Sequence, residues 1–326
     1  MIYDVIIIGA GAGGLTAGLY SSRRNLKTLV ISKDLGGQTA IATEIENYPG
    51  VLGQPNGAKL MQDFKKQAIS FGAEIKLELV NSIEPPAPPA LSLSNGSNDS
   101  GFVVKTEKEK YETKTIILAF GLSHRELGVK GEKEFAAKGV AYCATCDAPF
   151  FKQKTVAVVG GGNSGLDAAE LLSGIAKKVY LIHRGESFTA ESVLQKNIQK
   201  AENIEVLLNS EIKEIKGQTK VESIIIANAK EKEIKVDGVF VQIGYAPKTD
   251  WLKDLVKINQ KGEVITDENC RTSHPGIFAA GDVTDAPYKQ IVISAGEGAK
   301  AALQAYDYIK RNGGLNKETP DWGRNK

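Results

Sequence analysis

The sequence predicts an α/β fold with parallel sheets, and three observations carry that expectation. The apolar run YDVIIIG at 3–9 reads as a buried parallel strand and feeds directly into GAGAGG and a helical stretch. From Thr155 the same grammar recurs as TVAVVG, GGGNSG and LDAAELLSGI. A third strand-like run, GIFAAGD at 276–282, precedes a segment from Ser294 with helical spacing and small residues on one side, which needs a sheet to join.

In chain order, the first helix is expected to run to about Arg24, and KTLVIS at 27–32 returns as a second strand, completing a βαβ unit. The stretch EPPAPPALSLSNGSNDSG at 84–101 is rich in Pro, Ser, Gly and Asn and reads as an irregular surface insertion without chemistry. The second βαβ unit closes with KKVYLIH at 177–183. The terminal NKETPDWGRNK is polar around a lone Trp322 and is expected to fray unless that indole docks.

The 326 residues suit two domains, and 42% apolar with 25% charged residues is the composition of a soluble globular protein. Forty-one Lys plus Arg against 39 Asp plus Glu leave +2, with the basic residues scattered, so nucleic acid is not an expected partner. No apolar run approaches the roughly 18 to 20 residues that span a bilayer. The first residues lack a basic leader region, NGS at 95–97 and NDS at 98–100 match glycosylation acceptors by chance, and a cytoplasmic location is expected.

Gly9, Gly11 and Gly14 form GxGxxG between strand and helix, and Gly160, Gly162 and Gly165 repeat it. In such a turn the first glycine makes the bend, the second lets the backbone approach a pyrophosphate, and the third admits close helix packing. The helix start supplies amide donors and partial positive charge. Two fingerprints imply two dinucleotide sites. A ribose-binding acid is expected about 20 residues on. The first unit offers Ser32 and Lys33 there, with Asp34 slightly late, and the second offers His183, Arg184 and Glu186. Arg184 suits a 2′-phosphate and Glu186 a free 2′-hydroxyl, so the two signals conflict.

Cys143 and Cys146 lie three positions apart in AYCATCDAPF. A structural zinc site needs four ligands, whereas Cys270 is the only other cysteine and His124, His183 and His274 show no paired spacing. A permanent staple is disfavoured by a reducing compartment and by the short loop it would close. A redox pair remains, in which one thiolate is stabilised and exchange proceeds through a mixed disulfide. Asp147 is placed to donate a proton to a departing thiolate, or to cap a helix. Cys270 reads as a small buried side chain.

These motifs together resemble the low-molecular-weight thioredoxin reductase family of flavoproteins: GAGAGG, GGQTAIATEIENYPG at 36–50, CATCD at 143–147, GGGNSG at 160–165 and GIFAAGD at 276–282. The resemblance covers nearly the whole chain. It implies two Rossmann-like three-layer dinucleotide-binding domains, the second inserted in the first: an FAD domain of 1–121 and 246–326, and a nicotinamide domain of 122–245 carrying the Cys pair. It further implies a homodimer, rotation of one domain against the other, and thioredoxin or a thioredoxin-like protein as partner. By matching position, Gly9, Gly11, Gly14 and Ser32 belong to the FAD site, Gly37, Gln38, Asn47 and Gln290 to the flavin surroundings, and Asp282 to the ribityl chain. Gly160, Gly162, Asn163, Ser164, His183 and Arg184 belong to the NADPH or NADH site. Cys146 faces the flavin, Cys143 attacks the partner, and Asp147 is the acid. No metal is expected.

Three departures bear on this. Gly185 and Thr189 stand where further arginines are usual, which opens NADH or another donor beside NADPH. Phe120 in AFG replaces a smaller residue. PYKQIVISAGEGAKAAL and VLQKNI are closer to the flavoprotein of alkyl hydroperoxide reductase. A peroxidase-linked reductase and a non-catalytic flavin redox sensor are the alternative functions.

Overall fold

A computed structural model describes residues 2–42, 44–53, 55–86, 101–228 and 230–313. Most of the 84–101 insertion and Trp322 lie outside the described residues. The chain runs β1 (Ile2–Ile8), α1 (Ala12–Arg23), β2 (Thr28–Ser32), α2 (Gly37–Ala40), α3 (Gly57–Ser70), β3 (Glu74–Leu77), β4 (Val80–Glu84), β5 (Phe102–Thr106) and β6 (Lys110–Leu118). It continues through β7 (Ser123–His124), β8 (Val140–Ala141), α4 (Ala144–Asp147), β9 (Thr155–Val159), α5 (Asn163–Ser173), β10 (Lys178–Ile182), α6 (Ser192–Lys200) and β11 (Ile204–Leu207). Then come β12 (Glu211–Gly217), β13 (Val221–Ala227), β14 (Glu231–Lys235), β15 (Gly238–Val241), β16 (Tyr245–Ala246), β17 (Ile277–Ala279) and α7 (Ile291–Arg311).

Two compact units result: Met1–Leu122 with Pro247–Lys326, and Ser123–Ala246. The first is built on a sheet of order β3-β2-β1-β6-β5-β4. Strand β6 is shared along its length: its beginning pairs antiparallel with β5 and its end pairs parallel with β17, so the returning C-terminal segment completes the sheet. The uninterrupted apolar run of β1 follows from burial on both faces. Val5 and Ile7 pack towards Leu15 of α1 and Ala301 of α7, whereas Ile6 and Ile8 pack with Leu252 and Val264 on the other side. Phe120 joins that second cluster and lies 5.9 Å from the Trp251 ring, which gives its bulk a packing role.

The second unit has a parallel sheet of order β11-β10-β9-β15-β8. Ala168, Ala169 and Leu172 of α5 and Ile198 of α6 cover one face, while Ile212, Ile215, Ile224 and Ile234 of the antiparallel sheet β12-β13-β14 cover the other. Three layers therefore form around one buried sheet.

Small residues in α7 serve a close helix crossing. A Cβ on Gly298 would fall 2.0 Å from the Gly13 carbonyl oxygen of α1, while one on Gly296 would meet nothing within 4 Å. Gly298→Ala is therefore expected to destabilise the protein by about 3 kcal/mol through overpacking. Gly296→Ala should stabilise it by about 1 kcal/mol, the helix-propensity difference. Chemical denaturation of the two variants checks both signs.

Candidate redox and dinucleotide sites

Each fingerprint glycine has a geometric task. Gly9 has φ +113°, and a Cβ there would lie 2.3 Å from the Ala119 carbonyl oxygen; one on Gly14 would lie 1.8 Å from the Gly9 carbonyl oxygen. These contacts set the start of α1 directly against the end of β1. Gly11 is the α1 N-cap and supplies no side-chain hydrogen bond. A Cβ there would meet only the Gly36 oxygen at 3.8 Å, so a bare backbone surface lies beside the helix amides. Gly37 at φ +51° borders the same surface. Such a cradle of unclaimed donors fits a dinucleotide pyrophosphate, and these residues would hold FAD.

The remaining expected flavin residues differ in their surroundings. Ser32 is buried at the end of β2, and Gln38 is exposed on α2. Asn47 and Gln290, 243 positions apart, meet through an Asn47 Nδ2 to Gln290 Oε1 hydrogen bond of 3.1 Å. Asp282 follows β17 on a short 3-10 turn, and its Oδ1 accepts from Ser294 Oγ at 3.1 Å. Partial burial raises the Asp282 carboxyl above its ordinary value, with the Ser294 hydrogen bond opposing. Glu297, which the motifs do not single out, accepts the Gly281 amide at 2.7 Å, and burial raises it too. An acid between Gly296 and Gly298 on a small-residue helix face is the one signal that could have found it.

The second fingerprint repeats the first. Gly160 has φ +149° and a Cβ there would meet the Gln242 carbonyl oxygen at 2.1 Å; one on Gly165 would meet the Gly160 oxygen at 2.5 Å. Gly162 caps α5 without a side-chain hydrogen bond. Ser164 is exposed in the first turn. Asn163 is tied to Glu191 reciprocally: its Nδ2 donates to Glu191 Oε1 at 3.0 Å, and its Oδ1 accepts the Glu191 amide at 2.9 Å. The His183 ring is wedged between backbones, since a Cβ on Gly161 or Gly185 would run into it. Arg184 and Glu186 are both exposed. Thr189 folds back so that its amide donates to the Gly161 carbonyl at 2.8 Å.

Cys143 and Cys146 form a disulfide with Cα atoms 5.3 Å apart. Cys143 is the N-cap of α4, its Sγ accepting the Cys146 amide at 3.2 Å. That donor is what a Cys143 thiolate needs once the bond opens. Asp147 ends that turn and stands at the N-cap position of the 3-10 helix Ala148–Phe151, without a side-chain cap hydrogen bond; it is half-buried, and burial raises its carboxyl above the ordinary value. Cys146 is exposed and Cys143 is half-buried. Cys270 is a free, buried thiol whose Sγ lies 3.7 Å from the Glu297 carbonyl oxygen, and burial pushes its pKa up to about 11.

The pyridine nucleotide-disulphide oxidoreductase family matches residues 3–303. The chain belongs to this family. It is therefore an FAD-dependent oxidoreductase that uses NAD(P)H. A thioredoxin reductase of Treponema pallidum is 41% identical over 311 residues, covering 94% of this chain and 97% of the relative. A component of the alkyl hydroperoxide reductase of Pseudomonas aeruginosa is 42% identical over 313 residues, 95% of this chain but only 58% of that protein. Among solved structures, the Lactococcus lactis thioredoxin reductase superposes with TM-score 0.78 at 35% identity, covering 95% of this chain and 99% of the other. The T. acidophilum thioredoxin reductase gives 0.74 at 37%, covering 94% and 98%. The fold expected from the motifs is thus found in experimentally determined relatives of this oxidoreductase.

Glu297 provides a pH test of the flavin-side geometry. Its native value is raised, so the folded state binds that proton more tightly than the unfolded chain. The resulting stability is complete below the ordinary 4.5 and is lost as pH rises through the native value. Glu297→Gln keeps an acceptor for the Gly281 amide and should flatten that part of the stability curve, as read by urea unfolding of flavin-free protein from pH 4.5 upward.

Proposed function

We propose that the protein is a thioredoxin reductase: it uses NAD(P)H to reduce the Cys143–Cys146 disulfide and passes the dithiol's electrons to a protein disulfide of the thioredoxin type. The observation that carries this is the disulfide at the start of a helical turn, with an amide donated to Cys143 and a partly buried acid directly after Cys146. The family assignment and the T. pallidum relative support it. The residues expected from the motifs, and the division of roles between Gly9–Gly14 and Gly160–Gly165, are part of this reading.

FAD, when bound, supplies the two-electron relay between nicotinamide and disulfide. The protein's own residues do the rest. The bare starts of α1 and α5 bind the pyrophosphates of the two dinucleotides. Cys143, stabilised as a thiolate by the Cys146 amide, attacks one sulfur of the partner disulfide, and the other partner sulfur leaves. Cys146 then attacks Cys143 Sγ in the mixed disulfide, releasing the second partner thiol and restoring the internal bond. Asp147, held protonated to higher pH than a free carboxyl, gives its proton to a departing sulfur.

Glu186 follows the lone Arg184 by two residues just beyond β10, both exposed, and the identity to the P. aeruginosa alkyl hydroperoxide reductase component is equally high. A second reading therefore has NADH as donor and a peroxidase-linked thioredoxin-like protein as acceptor. A homodimer in the cytoplasm is also proposed; among the described residues no helix is long and apolar enough to cross a membrane.

Anaerobic titration of the flavin-loaded protein with NADPH and separately NADH should bleach the flavin and expose two thiols, which added oxidised thioredoxin then consumes. Failure of both nucleotides to bleach it would remove the reading. Cys143→Ser should keep flavin binding and abolish transfer to thioredoxin. Asp147→Asn is expected to slow thioredoxin reduction about 100-fold, the lower end for loss of a general acid, with the largest loss at low pH, where Asp147 is protonated.

A further inference from the structure

The backbone fixes the redox loop weakly on its N-terminal side. Strand β8 contributes two ladder positions, Val140 to Val239 and Ala141 to Phe240, and the chain then leaves the sheet. Cys143 stands two residues beyond the last of them, so its position depends on Tyr142.

Tyr142 is held at three points. Its carbonyl oxygen accepts Gln242 Nε2 at 2.9 Å, which extends the β8–β15 contact by a side chain. Its ring stacks on His124 of β7, centroids 4.0 Å apart and planes 14° from parallel. Its hydroxyl donates to Glu132 Oε1 at 3.0 Å. Glu132 is only 1% exposed, and its carboxylate also accepts the Leu127 amide at 2.8 Å and the Gly128 amide at 2.7 Å. A buried carboxylate satisfied by three donors is a stiff anchor, because swinging away would leave it unsatisfied.

We propose that Tyr142, anchored by Glu132, Gln242 and His124, is a positioning residue that keeps Cys143 Sγ within reach of Cys146 while the disulfide is open. This rests on the reading of the pair as a redox centre. When two electrons and two protons convert the bond into two thiols, the cross-link that held the sulfurs together is gone. The tendency of the pair to re-form then depends on how few conformations separate the thiols. A clamped Cys143 favours the disulfide and makes the dithiol a stronger reductant; an unclamped one lowers the effective concentration and weakens it.

The test is the equilibrium of the pair in the flavin-loaded protein, set by oxidised and reduced dithiothreitol and read by alkylation of Cys143 and Cys146. Tyr142→Phe keeps the ring, the carbonyl and the local charge and removes the hydroxyl bond alone. It should lower the equilibrium constant for disulfide formation about tenfold, a shift of about 30 mV for two electrons. Glu132→Gln should shift it in the same direction, and in the Tyr142→Phe background it should add less than twofold, because Glu132 acts through that hydroxyl. Unchanged equilibria in Tyr142→Phe, with any loss confined to melting temperature, would make the residue merely structural and overturn the proposal. Full additivity of the two changes would also overturn it. If the parent protein's pair does not open and close reversibly with dithiothreitol, the redox reading itself fails, and the two failures are distinguishable.

Discussion

Two helix beginnings, at Ala12 and Asn163, are pressed against strand ends more closely than any side chain would permit. Gly14 lies on the Gly9 carbonyl and Gly165 on the Gly160 carbonyl, and a Cβ at either would overlap backbone. This constraint aims the first-turn amides of α1 and α5 outward past Gly11 and Gly162, neither of which caps its helix with a side chain. By contrast, α3 begins with Asn56, whose side chain accepts the Lys59 amide. The first turn of α3 is thus bonded by its own cap, whereas those of α1 and α5 are left open beside glycine backbone, the arrangement that the proposed dinucleotide sites require.

A second theme is the handling of buried acids. Asp282, Glu297 and Asp147 all sit in positions where burial favours the neutral form. Glu132 is more deeply enclosed than any of them and is surrounded by donors instead. Asp282 accepts from the Ser294 hydroxyl and Glu297 from the Gly281 amide, whereas Glu132 accepts from three donors and so fixes the loop around it.

The sequence made much of this legible. Strand β1, its counterpart β9 and the glycine turns are local patterns, so their assignment needed no knowledge of the rest of the chain. The cysteine pair was readable for the same reason. Glu132, in GEKEF, looks like one of a solvated charged run; its burial comes from Tyr142 and from the amides of Leu127 and Gly128, a closure that only the folded loop creates. The Asn47–Gln290 bond joins residues from opposite ends of the chain, and the pairing of Asn163 with Glu191 depends on how the segment after β10 folds back. Sheet β12-β13-β14 went unread because its EIKEIKG and VESIIIA segments carry no motif, only the role of covering one face of the second unit.

Cys270 sits enclosed between the chain that precedes β17 and the backbone of α7, its thiol held in the protonated state well above neutral pH. It is consequently blind to the reagents and oxidants that reach Cys143 and Cys146. In an intact molecule, counts of reactive sulfur can rise only to the pair; a third equivalent is an alarm that α7 has parted from the sheet. The protein thus carries its own gauge of integrity, independent of colour or turnover.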